Sequence, residues 1–225
     1  MLITVSGLLS RDELADLRDQ AAGLRWRDGA ETAGAQARRV KRNEQADLSS
    51  RAGAKIRERL LEAISTHPVV SAAAQPMRFS RPLLSRAGEG GGYGLHVDNA
   101  LMGHGEGRIR SDVSYTLFLT DPADYAGGEL VIEHPGASQA LKPPAGDLVL
   151  YPSTSLHRVN EVRAGSRLAA VGWIQSRIRD SAQRELVFDL ENLRTELASS
   201  HAPESPEMLT LSKTISNLVR MWAEA

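Results

Sequence analysis

A histidine and an aspartate two residues apart, His96 and Asp98, could bind one metal ion in the segment Tyr93-Gly-Leu-His-Val-Asp-Asn. The segment is typical of a strand, and side chains two apart on a strand point to the same face. A second histidine, His157, begins a later predicted strand. Two imidazoles and one carboxylate form the facial triad typical of non-haem iron(II), which leaves coordination positions open.

A basic residue, Arg167, follows His157 by ten positions. The predicted strand Arg167 to Trp173 places Arg167 and Trp173 on the same face, with apolar residues between them. A guanidinium on a buried face favours an anion, and its fork matches a carboxylate bidentately. The distal carboxylate of 2-oxoglutarate fits this position. An internal ion pair with an acidic residue is the alternative.

Each of these residues also has a plainer interpretation. Taken alone, His96 and Asp98 could be a surface pair, and His157 could be a hydrogen-bonded core histidine. Trp173 could line the pocket or belong to the core. On another predicted strand, hydroxyl groups that could bind a carboxylate point to opposite faces, and either could be the inward one; they belong to Tyr115 and Thr116.

The other histidines lie in predicted loops or beside Pro or Gly and are expected at the surface; they are His67, His104, His134 and His201. The glycine-rich run 88–94 has no complete phosphate-binding pattern and precedes a strand, so it is predicted to form a rim of the site. The basic run 38–42 is expected to be a solvated loop. The alternative is that it covers the pocket mouth and selects an anionic substrate.

The composition is that of an ordinary globular protein, with 225 residues, 41% hydrophobic content and 27 basic against 28 acidic residues. Neither a nucleic-acid nor a membrane partner is predicted. The chain has no cysteine, which excludes disulfides and zinc–thiolate sites. The start of the chain has neither a secretory pattern nor an apolar run that could span a bilayer. We therefore expect a cytoplasmic protein.

The patterns along the chain divide it into three parts. Region 1–76 is predicted to be a helical support, with a capping box at Ser10 and Glu13. Region 77–176 contains seven or eight short strands separated by turns, which suits a jelly roll. Region 177–225 is predicted to be a helical extension with two amphipathic helices. The predicted fold class is α+β.

Several motifs carry a resemblance to a known family. These are HVD at His96, GGEL from Gly127, PAGDLVLYPSTSLHRV from Pro144 and GSRLAAVGWIQS from Gly165. They resemble the prolyl-4-hydroxylase-type 2-oxoglutarate oxygenases, and the whole chain resembles the bacterial PKHD-type hydroxylases.

The resemblance implies a double-stranded β-helix core. It also implies iron(II) at His96, Asp98 and His157, 2-oxoglutarate at Arg167, and L-ascorbate as the reductant. The implied reaction is hydroxylation with release of succinate and carbon dioxide, and the family suggests a link to bacterial iron uptake. The substrate stays open among a protein side chain, a free amino acid and a siderophore-like small molecule.

Three other functions stay open beside the oxygenase. The first is a sensor that binds iron and 2-oxoglutarate without turnover. The second is a cupin-like isomerase or hydrolase that uses another divalent metal. The third is an interaction module that acts through its C-terminal helices, and these helices could also form a homodimer.

Overall fold

The fold combines two β-sheets with helices at both ends of the chain, and a computed structural model describes residues 1–32 and 37–224, without the side chains of residues 32, 37 and 106. Three helices precede most of the strands and two follow them. Their bounds are α1 Arg11–Ala22, α2 Arg51–Thr66, α3 Pro68–Ala74, α4 Ser181–Leu197 and α5 Pro206–Trp222.

The strands are short and lie mainly between α3 and α4. In chain order they are β1 Ile3–Val5, β2 Trp26–Asp28, β3 Lys41–Arg42, β4 Glu44–Ala46, β5 Pro76–Phe79, β6 Leu83–Ala87, β7 Gly92–His96, β8 Leu101–Met102, β9 Ile109–Arg110, β10 Val113–Phe118, β11 Tyr125–Gly127, β12 Leu130–His134, β13 Ala137–Leu141, β14 Leu148–Pro152, β15 His157–Val159, β16 Val162–Gly165 and β17 Arg167–Ser176.

Two antiparallel sheets form the core. The major sheet has the order β1-β14-β10-β17-β6-β4-β2, with β5 also paired to β17. The minor sheet has the order β13-β12-β15-β7-β3. This is the double-stranded β-helix, or jelly roll, that the strand pattern and the resemblance predicted.

The central strand β10 is buried on both faces. One face, with Val113, Tyr115 and Leu117, packs in the cluster that also contains the apolar stripes of α1 and α2. The opposite face places Phe118 in a cluster with Ile132 of the minor sheet. The face toward the helices is therefore apolar or aromatic, whereas the inward face combines Phe118 with two buried polar residues, Ser114 and Thr116.

The N-terminal ends of α1, α4 and α5 are capped by the side chains that precede them. At α1, Ser10 Oγ accepts from the Glu13 N–H at 3.3 Å, and the Glu13 carboxylate accepts from the Ser10 N–H at 2.8 Å. Asp180 caps α4 through Gln183, and Ser205 caps α5. These contacts satisfy N–H groups that have no partner within the helix.

Region 1–76 contains more than the predicted helical support. α2 ends at Thr66, and Pro68 begins a further helix, α3, because proline is well tolerated in the first turn of a helix. The stretch 27–47 contributes to three strands, β2, β3 and β4. These strands are too short to show a period in sequence. The helical support region therefore also supplies strands to both sheets.

The segment 41–46 passes from the minor sheet to the major sheet. β3 pairs with β7 of the minor sheet, and β4 pairs with β6 of the major sheet. Gly94 permits this closure, because a Cβ there would lie 2.7 Å from Val40 Cβ. One side of the barrel is therefore closed by residues that precede the main run of strands.

The C-terminal helices are held by a cluster of charged groups. Arg110 Nε donates to Asp112 at 2.8 Å, Arg110 Nη1 donates to Glu224 at 3.0 Å, and the Ser176 N–H donates to Asp112 at 2.9 Å. Buried Arg184 of α4 donates to the Ile178 carbonyl at 2.8 Å.

In the described part of the chain, no helix is long and apolar enough to cross a membrane.

We expect Ser10→Ala to lower the free energy of unfolding by about 1 kcal/mol, because it removes a capping hydrogen bond from α1. Chemical denaturation measures the change. Ser65→Ala is the matched control, since Ser65 lies inside α2 and bonds only the Glu62 carbonyl, at 3.4 Å. Equal destabilisation by the two substitutions would contradict the capping role.

Candidate metal centre and its cavity

The three predicted ligand side chains come together between β7 and β15. His96 is the last residue of β7, Asp98 follows two residues later, and His157 begins β15 directly opposite His96. One ligand atom from each residue lies within 4.8 Å of the other two. His157 Nε2 is 3.8 Å from Asp98 Oδ2. The cluster is therefore compact enough to hold one metal ion.

Backbone carbonyls orient both imidazoles. His96 Nδ1 is 2.8 Å from the Gly94 oxygen, and His157 Nδ1 is 3.0 Å from the Ser155 oxygen. A carbonyl only accepts, so each Nδ1 carries the proton and each Nε2 keeps its lone pair. An outer hydrogen bond of this kind is usual for metal-binding histidines.

The surroundings of His96 favour its neutral form. Burial, followed by the neighbouring His157, lowers the pKa of His96 to about 4. The Tyr93 ring stacks on the imidazole, with centroids 3.6 Å apart and an interplanar angle of 19°. A neutral, stacked ring is ready to bind a metal ion without losing a proton.

Hydroxyl groups orient the third side chain of the cluster, Asp98. Ser114 Oγ donates to Asp98 Oδ2 at 2.6 Å, and Ser153 Oγ lies 2.7 Å from Ser114 Oγ. Both serines are buried. The carboxylate therefore has a defined orientation inside the protein.

A cavity of about 140 Å³ runs from this cluster into the barrel. Apolar residues such as Leu130 and Val171 form part of its wall, and polar and aromatic side chains form the rest. The latter include Lys41, Tyr93, Thr116, Tyr151, Arg167 and Trp173.

Arg167 places a buried cation on the wall of this cavity. Its residue is 3% exposed, and its guanidinium carbon lies 5.0 Å from the centroid of the Phe118 ring. Nε and Nη2 are buried without a hydrogen-bond partner. Among the described residues, no carboxylate lies within ion-pair distance of it. Unpaired donors of a buried cation favour a bound anion.

Burial lowers the pKa of Arg167, while Tyr125 and Tyr151 act in the opposite direction. An arginine stays charged even so, because its ordinary pKa is so high. Burial also raises the pKa of Tyr151, which keeps the phenol protonated as a possible donor. The donors at this end of the cavity suit the carboxylate of a small dianion such as 2-oxoglutarate.

The structure resolves the alternatives for three neighbouring residues. Thr116 pairs with Val171 and shares the inward face of β10 with Ser114. Tyr115 faces the helix layer, but its ring extends over Gly172, where a Cβ atom would collide with the hydroxyl group of Tyr115. Tyr115 therefore also contributes to the cavity wall. Trp173 lines the cavity on the face it shares with Arg167.

One residue of the basic run 38–42 lies at the cavity, and the other four residues are exposed. Lys41 lines the cavity, and its Nζ is 5.4 Å from the centroid of the Tyr93 ring. Burial lowers the pKa of Lys41 to about 8, and Asp28 and Asp98 oppose this shift. The expectation of a wholly solvated loop was wrong here, because β3 pairs with β7 and carries Lys41 inward.

The remaining histidines do not join the cluster. In the part of the chain that the structure describes, the only group of three potential ligands is the one already given. His104 and His134 are exposed, and His67 and His201 are partly exposed.

Sequence reasoning did not identify several residues around the site. Ser114, Ser153 and Tyr151 lie on or beside predicted strands, but no local pattern indicates that these side chains converge. Ser153 belongs to the PSTSLH motif next to His157, and this proximity was the one available signal.

Two family models match this chain. The 2OG-Fe(II) oxygenase superfamily matches residues 82–175, which include the cluster and Arg167. The PKHD-type hydroxylase C-terminal domain matches residues 181–224, which contain α4 and α5.

Similar proteins support the same relationship. A PKHD-type hydroxylase of Hyphomonas neptunium is 55% identical over 223 residues, covering 99% of this chain and 100% of that protein. A prolyl hydroxylase from Trichoplax adhaerens, in complex with a hypoxia inducible factor peptide fragment, has a TM-score of 0.59 at 16% identity and covers 82% of this chain and 86% of its own.

A third similar structure is HygX from Streptomyces hygroscopicus, solved with nickel, 2-oxoglutarate and hygromycin B bound. Its TM-score is 0.52 at 16% identity, with 77% of this chain and 82% of that chain covered. At such identities the two structural likenesses concern the fold.

We expect His157→Ala to weaken cobalt(II) binding by about 100-fold or more, since losing a ligand should exceed the 10–100-fold effect of an outer-shell change. Titration of the metal-free protein, followed by the visible cobalt spectrum, measures the affinity. His104→Ala is the control, because His104 is exposed and outside the cluster. Unchanged binding by the His157 variant would remove this residue from the site.

Proposed function

The chain belongs to the PKHD-type hydroxylases of the 2OG-Fe(II) oxygenase superfamily and is a 2-oxoglutarate-dependent dioxygenase; from this premise we propose that His96, Asp98 and His157 hold iron(II) and that Arg167 binds the distal carboxylate of 2-oxoglutarate. The reaction that we propose is hydroxylation of a carbon in a substrate still to be identified. Succinate and carbon dioxide are the accompanying products.

One observation carries this proposal. A cluster of two imidazoles and a carboxylate opens into the same cavity as a buried guanidinium whose Nε and Nη2 have no hydrogen-bond partner. A metal site alone would also suit a hydrolase or an isomerase. The guanidinium adds a specific requirement for an anion, and 2-oxoglutarate can satisfy it while its other end reaches the metal.

The protein's own groups bind and orient the reactants. When bound, iron(II) and 2-oxoglutarate supply the oxidising chemistry, in which one oxygen atom of dioxygen enters the substrate and the other enters succinate. His96 and His157 present Nε2 because Gly94 and Ser155 hold their Nδ1 protons. Asp98 contributes the anionic ligand and is kept in place by Ser114.

The barrel interior limits access of water to the inner end of the cavity. Phe118 lies under the Arg167 guanidinium, and Leu130 and Val171 line the walls. Apolar walls strengthen the interaction between the guanidinium and a carboxylate, because the effective dielectric constant is low. They also protect reactive species from side reactions with water.

The substrate side of the cavity is polar. Lys41, Asn43 and Gln45 lie two residues apart along the segment that closes the barrel, and all three line the cavity. Asn43 is anchored by its hydrogen bond of 2.6 Å to Ser85 Oγ. We propose that this wall contacts the substrate, either a small molecule or a protein side chain. No nucleic-acid or membrane partner is proposed, and a homodimer stays a prediction.

We propose L-ascorbate as the external reductant that keeps the iron ferrous. The chain has no cysteine, so no thiol of its own can serve this purpose. The cytoplasmic location and the link to bacterial iron uptake, both expected above, stay predictions.

The test of the oxygenase function is an anaerobic titration with iron(II) and 2-oxoglutarate. We expect a visible metal-to-ligand charge-transfer band when both are bound, since a chelated 2-oxo acid accepts charge from ferrous iron. Admission of air should then yield succinate. A band without succinate for any substrate pool would favour the sensor. Activity that persists without oxygen would favour a cupin-like isomerase or hydrolase.

Arg167→Leu should raise the KM for 2-oxoglutarate by about 100-fold or more, because truncating one partner of a buried charge pair costs about 2–5 kcal/mol. Succinate formation at varied 2-oxoglutarate concentration measures the KM. Arg86→Leu is the control: Arg86 lies on the neighbouring strand but forms its ion pair with Glu44 at 2.8 Å. An unchanged KM in the Arg167 variant would remove this residue from the cosubstrate site.

A further inference from the structure

Asp98 is held by a hydroxyl group from the opposite sheet. Ser114 lies on β10 of the major sheet, whereas Asp98 follows the end of β7 in the minor sheet. Ser114 Oγ donates to Asp98 Oδ2 at 2.6 Å, and Ser114 is 1% exposed. With so little exposure, water cannot readily replace this donor. The orientation of the carboxylate therefore depends on a contact between the two sheets.

A second hydroxyl group extends this contact, and the charge of the carboxylate determines the direction of its hydrogen bond. Ser153 Oγ is 2.7 Å from Ser114 Oγ, and Ser153 is 2% exposed. The only hydroxyl proton of Ser114 points to Asp98, because an ionised carboxylate can only accept. Ser153 must therefore donate to Ser114. The result is a directed chain from Ser153 to Ser114 to Asp98.

The turn that begins this chain also orients His157. Ser153 lies four residues before His157, in the turn after β14. In that turn the Ser155 N–H donates to the Pro152 carbonyl at 3.0 Å, and the Ser155 carbonyl accepts from His157 Nδ1 at 3.0 Å. One turn therefore contacts two members of the cluster, His157 through a carbonyl and Asp98 through two hydroxyls.

We propose that Ser153 and Ser114 are positioning residues, which couple the turn that carries His157 to the carboxylate of Asp98 and thereby hold the metal ligands in one geometry. The proposal rests on the proposed function only in that the cluster must bind a metal. Outer hydrogen bonds restrict the rotation of a ligand, so less order has to be created when the metal binds. Successive hydrogen bonds in a buried chain also polarise one another.

The test is a cobalt(II) titration of metal-free protein with Ser114→Ala, Ser153→Ala and the double variant. We expect Ser114→Ala to raise the dissociation constant about 10-fold to 100-fold. Ser153→Ala should raise it by a smaller factor. Because the chain passes through Ser114, adding Ser153→Ala to Ser114→Ala should cause no further loss, which is a non-additive result. The visible spectrum of bound cobalt should shift in both single variants.

Ser176→Ala controls for the loss of a buried hydroxyl in general. Ser176 is fully buried and donates to the Gln75 carbonyl at 3.2 Å, outside the cluster. Its substitution should lower the unfolding midpoint yet leave the cobalt affinity and spectrum unchanged. Unfolding midpoints of all variants separate a folding defect from a defect at the site.

Two results would overturn the proposal. One is a cobalt affinity and spectrum in Ser114→Ala equal to those of Ser176→Ala. The other is an additive loss in the double variant, which would mean that Ser153 acts independently of Ser114. Failure of the unaltered protein to bind cobalt would instead overturn the metal site itself, and with it the proposed function.

Discussion

The guanidinium of Arg167 is a positive charge inside a barrel, and the described part of the chain offers it no carboxylate partner. Leaving a buried charge unpaired is expensive, and a sequence under selection for stability alone would place an apolar residue here. A bound dianionic cosubstrate would offset this cost by pairing a carboxylate with the guanidinium. The phenols of Tyr125 and Tyr151 favour the charged form of the arginine before that partner binds.

Antiparallel pairing brings the side chains of the cluster together. His157 and His96 are directly opposite each other on β15 and β7, so their rings lie 4.2 Å apart. Asp98 joins them from the loop beyond β7, where no ladder holds it. Its position depends instead on Ser114, which is presented by the inward face of β10. The site thus needs both sheets at their observed separation, and the helix layer on the outer face of β10 helps to keep the major sheet in place.

The segment 41–46 connects the N-terminal region to the cavity. It bridges the two sheets and brings Lys41, Asn43 and Gln45 to the cavity wall. A region that was predicted to support the core therefore also forms part of the cavity wall. In contrast, α4 and α5 are attached through Arg110, Glu224 and Arg184, which do not line the cavity. Neither helix contributes a residue to the cavity wall.

The sequence by itself determined where α1, α4 and α5 begin, the central strands of both sheets and the identity of the side chains that converge, because capping residues, alternation and the HVD and GSR motifs are local signals. The alternation of side chains along β10 places Tyr115 and Thr116 on opposite faces of the strand. It does not show which of the two faces points into the barrel. The tertiary structure decided this by placing helices against the Tyr115 face. It also revealed the Ser153–Ser114–Asp98 chain and the closing segment 41–46, because both depend on contacts between strands far apart in sequence, which no local pattern encodes.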